Sequence, residues 1–362
     1  MKAAYRTQAR ARQHGAALLL ALMTVALVAT LASAALWRQW RNVEVESSER
    51  SRMQAGWILS GALDWARLIL REDARVGGPD HLGEPWSIPL QESRLSSFLA
   101  LDPGQADAAD DVFLSGQITD AQARMNLRNL SQDGKVSEPD QQAFARLFER
   151  LGLEPAEVDT LAANLVFALR PPGGAPAAAA SQPASDSASA NDQPVPLLPR
   201  RFDQLAWLGL SDASARVLAP YITWLPVRTP LNVNTASAQA LAASIPGLDL
   251  TDAQALVSTR QRAPFRTLEA LAPLLPPDSA ALAPGRFSVA TRFFEVRGRL
   301  RMEQLVVEEH SLLLRNGMEV TIVWRQRARA EVPPGPEFTL AAGAPVSAGS
   351  AAGQGPLLTM PP

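Results

Sequence analysis

Residues 16–36 read AALLLALMTVALVATLASAAL, and the rest of the chain is arranged around this stretch. It has 21 residues, no charge, and only Thr24, Thr30 and Ser33 to interrupt the apolar run. As a helix it reaches about 30 Å, enough to cross the hydrocarbon core of a bilayer. Residues 1–15 precede it, with Lys2, Arg6, Arg10 and Arg12, no acidic residue, and Gly15 at the end. A basic flank of this kind keeps the N-terminus cytoplasmic and sends the downstream chain outward. Arg38 and Arg41 on the far side reduce the contrast, and Glu44, Glu46 and Glu49 soon follow.

Three fates compete for the segment. Ala32-Ser33-Ala34 has the form of a secretory cleavage site, so a cut after Ala34 would release a soluble protein. The segment could stay as an uncut anchor. A cut after Gly15 would instead leave it as the mature N-terminus. Downstream residues bear on the choice. No proline occurs between Gly15 and Pro79, and Leu59, Leu63 and Leu70 share a face with Trp57. The spacing predicts one helix over 16–75, apolar all round in its membrane-spanning first half (16–36) and amphipathic in its second. Cleavage after Ala34 would destroy that continuity.

Beyond Gly77-Gly78-Pro79, which ends the helix, HLGEPWSIP at 81–89 reads as a loop leading into short extended pieces. DVFLSGQI at 111–118 reads as a turn between two short strands. From Asp120 the pattern is helical, with one apolar face at Ala143, Phe144, Leu147 and Phe148 and another at Val158, Leu161, Leu165 and Val166. Residues 171–199 form a Pro/Ala/Ser tract that buries almost nothing and reads as disordered. Helices resume from Phe202 to about Thr223, with Trp207 and Trp224 as core or interface residues. Strand patterns return at 287–300, 305–314 and 318–325, and Asn316-Gly317 is read as a two-residue hairpin turn.

The totals exclude some chemistry. There is no cysteine, hence no disulfide, zinc-thiolate site or cysteine nucleophile, and the formal net charge of -2 gives no global pull toward nucleic acid. The three histidines, His14, His81 and His310, have no recognisable catalytic partners, so no enzyme and no catalytic residue is read.

Two motifs point to binding. Leu231-Asn-Val-Asn-Thr-Ala236 with Ile245-Pro-Gly-Leu248 is similar to the helix-hairpin-helix module of DNA-uptake and DNA-repair proteins. Asn234 or Thr235 would cap its first helix, and Thr251 or Asp252 would open the second. Such hairpins clasp a phosphate, but Asp249 and Asp252 would repel one, so no nucleic acid is expected as a partner. The stretch 129–140 has the oxygen spacing of a loose calcium loop, with Asn129, Ser131, Asp133, Ser137 and Asp140 as ligands and Gly134 at the turn.

These features together resemble the minor pseudopilin K subunit of the bacterial type II secretion system, also called general secretion pathway protein K. The likeness is carried by Arg12-Gln-His-Gly15 before the apolar run, Leu82-Gly-Glu-Pro-Trp86, Asp120-Ala-Gln-Ala-Arg-Met-Asn-Leu-Arg-Asn-Leu130 and Leu231-Asn-Val-Asn-Thr-Ala236. It covers residues from about 12 to about 328. The resemblance implies that prepilin peptidase cuts after Gly15 and that the new N-terminal residue, Ala16, is methylated. Most pilin-like subunits carry Glu four residues after the new N-terminus, where this chain has Leu20, which matches the habit of the K subunit. A buried Glu needs a positive partner such as a neighbour's terminal amine, and a subunit at the very tip has no neighbour above it.

The family implies an α+β fold in which a long N-terminal helix packs on a small antiparallel sheet and a large helical domain is inserted. The organisation expected here is a leader at 1–15, the helix at 16–75, a pseudopilin domain from 76–119 and 284–328, the inserted domain at 120–283, and a flexible tail at 329–362. Implied partners are minor pseudopilins I and J, with H below them, and inner-membrane lipid before assembly. The implied setting is the inner membrane, single-pass, with the globular part in the periplasm. Calcium has been associated with some K subunits. Known relatives can carry a disulfide, which this chain cannot. The rival reading is a membrane-tethered helix-hairpin-helix DNA-binding protein of a DNA-uptake system.

Overall fold

Helix α1 spans His14–Val76, 63 residues in one piece and roughly 95 Å long. Its end follows from local chemistry. Gly77 and Gly78 adopt φ of 70° and 124°, and the Gly77 amide donates to the Asp73 carbonyl at 3.0 Å, a left-handed cap that side chains with a Cβ resist. The computed structural model describes residues 14–96, 112–169, 196–276, 285–302 and 305–329. The leader up to residue 13, most of the 171–199 tract and the tail from 330 lie outside the described residues.

Five strands form one antiparallel sheet in chain order: β1 (Leu90–Arg94), β2 (Val112–Asp120), β3 (Phe293–Met302), β4 (Leu305–Asn316) and β5 (Glu319–Arg329). Strands β2 and β3 are neighbours, with Asp120 opposite Phe294, although the whole helical block separates them in sequence. The chain therefore leaves the sheet at the end of β2 and returns at the start of β3, which is what an insertion requires.

Alternation along β4 gives the sheet two working faces. Leu313 packs with Leu63, Ala66 and Leu70 of α1. Its neighbour Leu312 packs with Ala121, Leu225 and Phe293 on the other side, toward the inserted block. Leu59, Leu63 and Leu70 are essentially buried, and each contributes about 1.5–3 kcal/mol in removing apolar area from water. Trp57, read on the same face, is instead 79% exposed, because two residues of helix turn it about 200° from Leu59.

The inserted block holds α2 (Glu138–Arg150), α3 (Ala156–Ala168), α4 (Asp212–Leu218), α5 (Ala238–Ser244) and α6 (Leu250–Arg262) around one large apolar cluster. Every residue of the two apolar faces read from sequence, from Ala143 to Val166, is buried. Trp224 packs against this cluster, whereas Trp207 is 45% exposed. Short pairs of extended residues stitch the block together: Met125–Asn126 with Ile222–Thr223, and Leu231–Asn232 with Phe287–Ser288.

Several local readings are corrected. The stretch 112–120 is one unbroken strand, not two strands and a turn. Its Ser115-Gly116 pair looks like a turn but lies mid-strand, with Gly116 opposite Gly298. Residues after Asp120 do not become α-helical until Glu138. Asp120 and Asn126 each accept a backbone N–H two residues ahead, which favours tight turns over a helix. The segment 202–223 is a 3-10 turn, a seven-residue helix and a two-residue extended piece rather than continuous helix. The last hairpin turns on Gly317-Met318, one residue later than read, because Asn316 pairs with Glu319 and Gly317 supplies the positive φ of 59°.

Candidate assembly interface

The first half of α1 has no partner among the described residues. Its most apolar window has a mean hydropathy of 2.3 and is 0% buried, and Leu20 is 67% exposed. Ala16 lies in the opening turns of the helix, just after Gly15, and is itself exposed. A surface this apolar has to be covered by lipid or by other helices.

The second half is clamped to the sheet. A Cβ on Gly298 would lie 3.2 Å from Leu59 Cδ2, so the helix crosses the sheet where two strands carry glycine, Gly116 and Gly298. Polar contacts flank this crossing. Arg325 donates to Ser60 Oγ at 2.6 Å, and Arg327 donates to the Gly56 carbonyl at 3.0 Å. Both arginines also pair with Glu309, which is almost buried. Desolvation pushes the Glu309 carboxyl up, opposed by the Arg327 contact. Arg67 of α1 reaches across to donate twice to the Val320 carbonyl, at 3.0 and 2.9 Å.

A buried polar knot joins the sheet to the inserted block. Asp120 at the end of β2 accepts from Asn232 Nδ2 at 2.9 Å, Thr235 Oγ1 at 2.5 Å, Thr291 Oγ1 at 2.6 Å and the Gln122 amide at 2.6 Å. Burial raises its pKa, and these four donors oppose the rise. Asn232 also donates to the Asp80 carbonyl at 3.1 Å, and Asp80 Oδ2 accepts the Thr291 amide at 2.6 Å. Arg315 completes the knot by pairing with Asp73 and Asp80, each at 2.5 Å. Burial pushes Asp80 up, while Arg315 pulls it down.

Glu84 stands beside the knot, accepting from the His81 amide and from Trp86 Nε1, each at 2.8 Å. Trp86 in turn meets Phe294 edge-on, with ring centroids 5.2 Å apart. Desolvation first, then the nearby Asp73 and Asp80, raise the Glu84 pKa to about 7. Asp73, Asp80 and Glu84 form the one group of metal-type side chains among the described residues. The Arg315 guanidinium already pairs with two of them.

The helix-hairpin-helix module forms with different caps from those read. Ser237 caps α5 through the Ala240 amide, and Asp249 caps α6 through the Asp252 amide at 2.7 Å. Asn234 is not a cap. Its side chain bonds both ways with the Phe265 backbone, at 2.9 Å each. Thr235 serves the Asp120 knot. The hairpin turns on Gly247 at φ 78°. The Asp249 carboxylate occupies the helix start that a phosphate would use. Arg260 is buried and donates to the Val233 carbonyl, and its burial lowers its pKa to about 10.

The stretch 129–140 makes a hairpin and a helix start in place of an oxygen cage. Asp133 and Gly134 are the turn, with φ of 49° and 73°. The Asn129 side chain is committed to Thr229, donating to its carbonyl and accepting its amide. Ser131 is buried in the hairpin. Asp140 accepts from Ser137 Oγ at 2.7 Å and pairs with Arg228 at 3.1 Å and Arg286 at 3.3 Å. A cation here would have to displace two guanidinium groups, so the donor set does not fit calcium.

Sequence reading missed the Asp120 knot and the Glu309 clamp. The signal for the first lay in two motifs, since Asp120 opens one and Asn232 and Thr235 belong to the other. Arg315, Arg325 and Arg327 sit in strands whose alternation reads as surface, and nothing local marks them.

A long helix docked by its second half on an antiparallel sheet, with a helical block inserted between two neighbouring strands, defines a pilin-like subunit. The family described as "Type II secretion system (T2SS), protein K" matches residues 123–227 and 231–290. Type II secretion system protein K of Pectobacterium carotovorum subsp. carotovorum is 31% identical over 338 residues, covering 88% of this chain and 97% of that protein. The Pseudomonas aeruginosa protein of the same name is 30% identical over 301 residues, covering 79% and 84%. A structural likeness covers 78% of this chain and 99% of the matched one, with TM-score 0.55 and 16% identity. The matched chain comes from the GspK-GspI-GspJ complex of enterotoxigenic Escherichia coli. The chain belongs to the type II secretion system protein K family, whose members are minor pseudopilins.

Proposed function

We propose that this chain is a non-enzymatic structural subunit at the tip of the type II secretion pseudopilus. It helps to start the assembly and caps it, in support of protein export across the outer membrane. Prepilin peptidase removes residues 1–15, Ala16 becomes the methylated N-terminus, and the apolar half of α1 sits in inner-membrane lipid until assembly. The globular part lies in the periplasm. During assembly this half packs laterally against minor pseudopilins I and J, with H below, and the inserted block rests on top.

The observation that carries this reading is the division of a single helix. One half is locked to the sheet and the other half has no cover among the described residues. Leu20 supports the tip position, because an apolar residue there needs no amine from a subunit above. The likeness to a chain solved in complex with I and J subunits supports the choice of partners.

The native chain has no cysteine, so a Leu20→Cys variant carries one thiol in the proposed contact surface. It is produced with I, J, H and prepilin peptidase, and crosslinked in membranes with a short bifunctional reagent to cysteines placed in I and J. Crosslinks to I or J are expected. Intact secretion with no crosslink to either along this helix would contradict the arrangement.

A further inference from the structure

Between residues 38 and 52 the arginines of α1 fall into two groups. Arg50 pairs with Glu46 at 3.1 Å and Arg52 with Glu49 at 2.7 Å, both along the helix. Arg38 and Arg41 make no ion pair among the described residues, although Glu44 lies one turn from Arg41. Beside them stand Trp37 and Trp40, 58% and 59% exposed, with ring centroids 5.3 Å apart at 35°. The Arg41 guanidinium lies 5.9 Å from the Trp37 ring centroid.

This cluster begins one residue after the uncharged run ends at Leu36. A run of that length spans about 31 Å as a helix, close to the thickness of the hydrocarbon layer. With the run inside the bilayer, Trp37 emerges at the headgroup level. Indole rings favour that layer, and arginine stems extend from it to phosphate oxygens.

We propose that Trp37, Arg38, Trp40 and Arg41 form a collar that binds phospholipid headgroups on the non-cytoplasmic face and fixes how deep α1 sits. The indoles lie among the glycerol and carbonyl groups, and the two guanidiniums bond headgroup phosphates. These arginines need no acidic partner on the helix because the membrane supplies it. The collar defines the depth from which the subunit is withdrawn on assembly. This rests on the membrane-spanning reading above.

The test uses the full-length protein in vesicles of phosphatidylethanolamine and phosphatidylglycerol. Single cysteines replace Ser33 or Asn42 and carry a fluorophore, which is quenched by headgroup spin label, mid-chain spin label or aqueous iodide. In the native background the label at 33 should be quenched by lipid labels and the label at 42 by iodide. Trp37→Ser with Trp40→Ser should change the headgroup-to-chain quenching ratio at 33 by about twofold or more, and Arg38→Gln with Arg41→Gln should move it in part. Trp57→Ser, roughly 30 Å further along the helix, should leave it unchanged. If neither double variant moves the ratio while position 33 stays lipid-shielded, the collar is overturned and the span stands. An equal shift from Trp57→Ser also overturns the collar. If iodide quenches position 33 as freely as position 42, the span and the collar both fall.

Discussion

Asn232 of the inserted block donates a hydrogen bond to Asp120 at the end of β2, 2.9 Å away and 112 residues distant in sequence. Asn232 is completely buried, and its amide also reaches the Asp80 carbonyl and Thr291 Oγ1. One side chain thus links the loop after α1, the exit from the sheet and the return to it. The inserted block is held at the point where the chain departs and comes back.

Asn232→Ala removes the two amide hydrogens that three buried acceptors share, and leaves Asp120 short of a donor. The expected loss is about 3 kcal/mol, read as a lower Tm of the purified periplasmic portion. Asn234→Ala should lower Tm as well but leave Asp120 fully served. Equal behaviour of Asn232→Ala and wild type in thermal unfolding would deny the knot its role.

Gly298 lies under Leu59 where α1 crosses the sheet. A Cβ there meets Leu59 Cδ2 at 3.2 Å, and a branched side chain would lift the helix. Gly298→Val should destabilise by about 1–3 kcal/mol, whatever β propensity it gains. Limited proteolysis should open the α1–sheet seam first. Gly61→Val, at a position with nothing within 4 Å, is the comparison, and it should show only the helix-propensity effect.

Glu84 gives the pH dependence a sign. Its pKa in the folded chain is about 7, above the ordinary 4.5, because burial and two nearby aspartates disfavour the charge. The fold prefers the protonated form, so this stabilisation is complete below about pH 4.5 and is lost as pH rises through 7. Glu84→Gln keeps an oxygen for the His81 and Trp86 donors and stays neutral. Its Tm should match wild type near pH 4.5, exceed it increasingly up to pH 7, and then run parallel, by on the order of 2 °C given the half-exposed site. A constant difference across that range would contradict the shift.

Much of the architecture is legible because it rests on strong periodic signals. The uncharged run, the proline-free helix and the apolar faces of α2 and α3 each follow from spacing alone, and each is present. Turn chemistry is less legible. Ser115-Gly116 looks like a hairpin tip, yet Gly116 lies mid-strand opposite Gly298, where a Cβ would meet the Arg297 carbonyl at 3.1 Å, and sequence spacing does not locate that pairing. The oxygen pattern of 129–140 matches a calcium loop because Asn, Ser and Asp are also what a hairpin and helix start require. Only the long-range partners Thr229, Arg228 and Arg286 distinguish the two, and they lie far along the chain. From sequence, Asp249 reads as repelling a phosphate. Its capping bond to Asp252 gives a more direct reason, since the carboxylate itself takes the position.

The proposal depends most on the apolar half of α1 remaining in the mature chain. Intact-mass measurement of the protein isolated from a host with prepilin peptidase addresses this directly. The account predicts a chain beginning at Ala16 and carrying one added methyl group. A chain beginning at Ala35 would have lost the stalk, and with it any way for this subunit to be held among I and J.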